Sequence, residues 1–252
     1  MKKKNKSFPV KSALLLGAAA VLLLGSTVGS TRAALTYYSA NYSAQLNMLS
    51  IGVSLVENDK IVSARNYDED GNEMVTSGDN QLLTNLIPEG EKFTPGKKYD
   101  EALSVQNTGS IDSFVRVILH KSWTDAKGNK DTSLSPKLID LNFANSDVWD
   151  IDEDANTDEQ TVLYYTNALP AGESTPDLSD TIRIDNEIAR KVTKVPSEDG
   201  TSISYEYEYN GYTFHLDAEV DAVQTHNAAE AIKSAWGVDV TVNADETSMS
   251  LQ

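Results

Sequence analysis

Three histidines, no cysteine and 38 carboxylates are the groups in this sequence that could do chemistry. A zinc hydrolase needs three protein ligands and an open fourth position. His120, His215 and His226 are scattered, and no His-Glu-x-x-His helix motif is present. The grouping that spacing offers is His215 with Asp217 two residues on and Glu206 across an expected hairpin. His226 stands at a helix N-terminus as a local contact, and His120 ends a strand beside Lys121. Two acidic stretches have the spacing of oxygen ligands. Asn66, Asp68, Asp70 and Gly71 match the opening of an EF-hand-type calcium loop, but the twelfth place is Ser77, without the bidentate carboxylate that closes such a site. Asp150, Asp152, Asp154, Asn156 and Asp158 alternate without a loop glycine. Gly-x-Ser-x-Gly is absent, and the lack of Cys removes thiol catalysis and Cys-based metal sites. A chain without catalytic residues or cofactor is expected, with calcium or zinc at these positions as the alternative.

The elements that must position these side chains are mostly strands. The pair Asn210-Gly211 favours a two-residue type I′ turn, because both positions need φ > 0. It predicts a hairpin over residues 203–223 in which Tyr209 faces Tyr212, Tyr207 faces Phe214, Tyr205 faces Leu216 and Ile203 faces Ala218. Glu206, His215 and Asp217 would share the opposite face. Period-2 alternation predicts further strands at Leu49, Ile51, Val53 and Leu55, at Leu103 and Val105, and at Ile139, Leu141 and Phe143. Shorter ones are expected at 162–165 and 182–184. Residues 114–119 are apolar on both faces apart from Arg116, as in a central strand or part of a contact surface. One helix is predicted over 228–236, with Asn227 as cap, Glu230 reaching back, an apolar stripe of Ala228, Ala231, Ile232, Ala235 and Trp236, and Gly237 as a left-handed stop. Val238, Val240 and Val242 form a last short strand. Residues 67–80 read as a polar loop, 147–159 as an acidic loop and 169–172 (Leu-Pro-Ala-Gly) as a turn. The expected fold is mainly β, a jelly-roll-like two-sheet β-sandwich with one short helix near the C-terminus.

The first 33 residues have the three parts of a secretory signal. Lys2, Lys3, Lys4, Lys6 and Lys11 precede an apolar run over 13–24 and a small, polar stretch over 25–33. The apolar run is shorter than the ~20 residues a spanning helix takes. Thr31 and Ala33 place small side chains before a cut between Ala33 and Ala34. The expected organisation is then a signal peptide (1–33), an N-terminal segment (34–48), a β-sandwich (49–242) and a polar tail (243–252). Cleavage removes six of the 21 basic residues and none of the 38 acidic ones, so the precursor's net charge of −17 falls further. So acidic a chain is not built to neutralise nucleic-acid phosphates or to dock on an anionic membrane, and no membrane contact is expected after cleavage.

In this order, the Gly29-to-Leu35 stretch, Pro95-Gly96, the run SVQNTGSIDSFVRVIL, Leu169-Pro170-Ala171-Gly172-Glu173 and AEVDAVQTHNAAEAIKSAWG resemble the exported TasA/camelysin family of Gram-positive bacteria. The resemblance implies processing by a SipW-type signal peptidase, a jelly-roll sandwich and secretion to the cell surface or extracellular matrix. For the TasA branch it implies assembly into biofilm fibres, the N-terminal segment of one subunit completing the sheet of the next. For the camelysin branch it implies a surface metalloprotease. A monomeric secreted adhesion or binding module is the third alternative.

The new N-terminus would carry Leu35, Tyr37, Tyr38 and Tyr42, with no charge over residues 34–42. A β-forming, uncharged ribbon of this kind can add to an exposed sheet edge. These residues are the candidates for strand donation, and the expected partner is a further copy of the chain.

Overall fold

The computed structural model describes residues 51–67, 73–76, 81–197 and 203–252. In chain order the strands are β1 (Val53–Glu57), β2 (Lys60–Tyr67), β3 (Glu73–Thr76), β4 (Lys98–Asn107), β5 (Ser113–Thr124), β6 (Lys130–Asp131), β7 (Ile139–Phe143), β8 (Trp149–Ile151), β9 (Gln160–Tyr165), β10 (Ser179–Ile184), β11 (Val192–Pro196), β12 (Ile203–Tyr207) and β13 (Thr213–Gln224). The helix α1 (Ala228–Trp236), β14 (Val240–Val242) and β15 (Met249–Leu251) follow.

Apolar side chains on both faces of β5 require cover on two sides, and the fold supplies it. One sheet runs β3-β2-β1-β4-β10-β7 and the other β13-β5-β9-β8, all pairs antiparallel. Val115, Val117 and Leu119 of β5 pack with Leu103, Val105 and Ile182 between the sheets. Phe114 belongs to a second apolar layer with Val162, Tyr164, Val223, Ile232, Val240 and Met249. This is the mainly β sandwich, with one short helix near the C-terminus, that the pattern of alternation predicts. Among the described residues, no helix is long and apolar enough to cross a membrane.

The helix occupies the predicted residues, and Gly237 (φ +78°) ends it by donating its N–H to the Lys233 carbonyl. Its start differs from expectation. Asn227 adopts φ +54° and makes no side-chain cap bond; its carbonyl instead accepts from Ala231 N–H at 3.2 Å. Trp236 packs its ring against Tyr164 (5.7 Å) and under the Arg116 guanidinium (5.0 Å). Ala235 is exposed, so the apolar stripe is narrower than predicted.

The hairpin over 203–223 does not form. β12 pairs with β11, while β13 pairs along its twelve residues with β5. Gly211 is left-handed (φ +84°), but Asn210 is not, so the type I′ geometry is absent. Tyr209 and Tyr212 pack edge-to-face at 5.3 Å against the inter-sheet core, making a corner between two sheets instead of a hairpin tip. A type I′-like turn occurs at Asn58-Asp59, where φ is +48° and +64° and Glu57 pairs with Lys60.

Three further boundaries are corrected. The loop over 67–80 contains β3, paired with β2. The acidic loop contains β8, where Trp149 is buried and its Nε1–H donates to the Pro176 carbonyl. The end of the chain is not a polar tail: β15 pairs with β14, Met249 is buried, and its N–H donates to the Thr166 carbonyl at 2.7 Å. Alternation of Met249 and Leu251 is too short to stand out in sequence. The Leu169–Gly172 turn forms as predicted, closed by Glu173 N–H on the Pro170 carbonyl.

Candidate functional site

β13 lies at the margin of its sheet. Among the described residues it has one paired neighbour, β5, and its other edge is unpaired. Its inward residues Phe214, Ala218, Val220 and Ala222 reach the core only half-buried, because no described strand continues the sheet beside them. Between this edge and the β1–β2 hairpin runs a cavity of about 910 Å³. Leu55 and Val62 line it from one sheet, Phe214 and Leu216 from the other. Phe93 closes part of it, stacked on Tyr99 at 5.5 Å and tilted on Phe214 at 5.8 Å. Residues 81–87 form another wall through Leu82, Leu83, Leu86 and Ile87. The lining mixes apolar and aromatic side chains with polar ones such as Gln81 and Asn210, and His215 and Asp217 are its imidazole and carboxylate.

Beside this wall lie two inward carboxylates. The turn at Asn58 is pinned to β4 by paired bonds: its N–H donates to the Ala102 carbonyl (2.8 Å) and its Oδ1 accepts from Ala102 N–H (3.0 Å). That register brings Glu57 of β1 next to Glu101 of β4. Glu101 is 0% exposed and Glu57 7%. Glu57 Oε1 accepts from Leu83 N–H at 2.6 Å. Neither Glu101 oxygen has a hydrogen-bond donor. Burial first, then the neighbouring Glu57 carboxylate, push the Glu101 carboxyl up to about 8; the Asn58 carboxamide acts in the opposite direction. Glu57 has the Leu83 N–H as donor, but the Glu101 oxygens that face it have none until one of the two carboxyls takes a proton.

The candidates for metal chemistry are placed otherwise than expected. His215 and Asp217 share a side of β13, but Glu206 sits on β12 opposite Thr193. The residue across from Asp217 is His120, and His215 Nε2 lies 3.0 Å from Thr124 Oγ1. In the acidic loop, Asp152 Oδ1 accepts from the N–H groups of Asp154 and Ala155, Asn156 Oδ1 accepts from Val162 N–H, and Asp158 pairs with Lys137. Those side chains build the turn. Among the described residues, no group of three or more His, Asp or Glu is placed to hold a metal ion. Ala33, Ala34, Leu35, Tyr37, Tyr38, Tyr42, Asp68 and Asp70 lie outside the described residues.

Comparisons with protein-family models, with curated proteins and with solved structures return no match. The site therefore stands on its own geometry. Sequence reasoning missed Glu57, Glu101 and the 81–87 wall. Glu101 was readable in part: Tyr99, Glu101, Leu103 and Val105 alternate, so a strand begun at Tyr99 puts a glutamate at a core position.

Proposed function

We propose that this chain is a secreted cell-surface or biofilm-matrix structural protein that self-assembles into fibres by β-strand addition, without catalytic activity. The observation that carries this is the edge of β13, unpaired among the described residues, beside a groove with many apolar and aromatic lining residues. An unpaired strand edge is a template for another chain, and inward residues that stay half-buried gain cover when one is added. The occupant is residues 34–42 of a second copy, exposed when a SipW-type signal peptidase cuts between Ala33 and Ala34. That ribbon is uncharged and offers Leu35, Tyr37, Tyr38 and Tyr42. Burying each yields about 1.5–3 kcal/mol, while ordering each residue costs about 1–2 kcal/mol. These contributions nearly cancel, so the repulsion between acidic subunits decides: assembly is favoured by salt or by mild acid.

Electron microscopy of the processed protein across pH and salt tests this. Filaments are expected, and deletion of residues 34–41 should abolish them. Ala218→Arg, which sets a charge into the groove from the acceptor side, should do the same, with circular dichroism and urea unfolding checking that the variant is folded. Filaments that form as readily in either variant would remove strand donation. Zinc-dependent cleavage of casein, lost in His215→Ala, would instead establish the camelysin-type metalloprotease. A protein that stays monomeric throughout would leave the adhesion-module reading.

A further inference from the structure

Residues 81–87 lie along the groove as a strap, and its attachment is unusual. The strap has no ionisable side chain. Leu83 is left-handed (φ +65°), a conformation a leucine adopts only when its surroundings impose it. The bond that meets it there is the one from its N–H to Glu57 Oε1, at 2.6 Å. Glu57 is in turn backed by Glu101, which is sealed from solvent and has no donor within hydrogen-bonding geometry, the Asn58 carboxamide being a polar neighbour of that kind. Among the residues whose side-chain burial is described, these two are the buried Asp, Glu, Lys, Arg or His side chains.

The groups around the pair come from each neighbouring element. The β1–β2 turn contributes Asn58 and the exposed Asp59, and Lys60 opposite Glu57 is exposed. On β4, Asp100 alternates to the other face and is exposed. From β10, Ser179 Oγ–H donates to the Glu101 carbonyl. Across the groove β13 presents His215 and Asp217. No buried cation is among them, so a proton is the species left to separate the two carboxylates.

We propose that Glu57 and Glu101 form a proton-linked latch on the strap: a shared proton keeps Glu57 fixed on Leu83 N–H, and opening the strap to water releases that proton, so the groove loses this wall as pH rises. The closed state holds the Glu101 proton up to about pH 8, whereas in water the same group has its ordinary value of 4.5. Between those limits opening releases one proton, and its equilibrium constant rises about tenfold per pH unit; above about pH 8 it levels off. As control over fibre growth this rests on the groove being the strand acceptor. As a latch it does not.

Hydrogen exchange read by mass spectrometry on the full chain, at concentrations where it is monomeric, tests the latch. After correction for intrinsic exchange, opening of peptides covering 81–87 should rise by about tenfold per unit from pH 5 to 8 and then flatten, while β5 and β9 stay protected. Glu101→Gln supplies a non-titrating donor to Glu57 and should make the profile flat. A flat wild-type profile, or an unchanged rise in Glu101→Gln, overturns the latch. Should that variant fail to fold, carboxyl-carbon NMR of wild-type glutamates decides: a midpoint near 8 supports the latch, and midpoints that all lie in the ordinary range overturn it. Absent filaments together with the expected strap profile would remove the acceptor reading alone; filaments together with a flat profile would remove the latch alone.

Discussion

Where β5 and β13 meet α1, Phe114 and Ile232 are sealed from solvent, whereas Phe214 and Ala218, on the other face of β13, remain half-exposed. The two faces are covered by different kinds of chain. The sealed one is closed by α1, β14 and β15, which follow β13 directly in sequence and bring their own backbone hydrogen bonds. The open one is walled by a strap more than a hundred residues away in sequence (Gln81 against Thr213), met by a single bond to a buried carboxylate. Cover that is local in sequence closes cheaply in chain entropy. Cover from a distance is left partial here, beside an edge of β13 that has no paired neighbour among the described residues.

Substitutions can break this contrast from either side. The largest effect is expected at the sealed face: Ile232→Ala should destabilise by about 2–5 kcal/mol in urea unfolding, as for a fully buried aliphatic side chain. Trp236→Leu comes next. It loses the ring contact with Tyr164 and the guanidinium of Arg116, for about 1–2 kcal/mol in the same assay.

The pH dependence sharpens the comparison. Glu101 is raised in the folded state, so the stability linked to its proton is fully present below its ordinary 4.5 and is lost as pH rises towards about 8. Asp125, Asp131 and Asp180 are lowered, chiefly by hydrogen bonds from Asn129, Ser133 and Asn142, so their contribution is present above the ordinary 3.8 and is lost as pH falls. Unfolding midpoints should therefore peak in mild acid and decline towards pH 8, and Glu101→Gln should abolish that decline. The smallest effect belongs to the strap surface. Ile87→Ser, 38% exposed, should change unfolding by no more than about 0.5 kcal/mol, yet it should weaken filament formation in microscopy because Ile87 lines the groove.

Much of the sandwich was legible. β5 announced itself through apolar residues on both faces, and α1 through its stripe and Gly237, because each signal is contained within a few neighbouring residues. The candidate site was not. The Asn210-Gly211 pair carries a strong local turn preference, but β12 pairs with β11 over five residues and Tyr209 and Tyr212 pack half-buried at a corner, so the expected partner of β13 is engaged elsewhere. The turn that did become type I′-like, Asn58-Asp59, has no glycine; the pairing of β1 and β2 imposes it.

Composition and periodicity were enough to establish an acidic, cysteine-free β protein with one helix near its end, since charge, thiol content and alternation are properties of the residues themselves. That β13 stands at a sheet margin among the described residues, and that two glutamates meet beside residues 81–87, depended on contacts between segments far apart in the chain. The meeting of Glu57 with Glu101 comes from the β1–β4 register, and register is a property of paired strands, not of either strand alone.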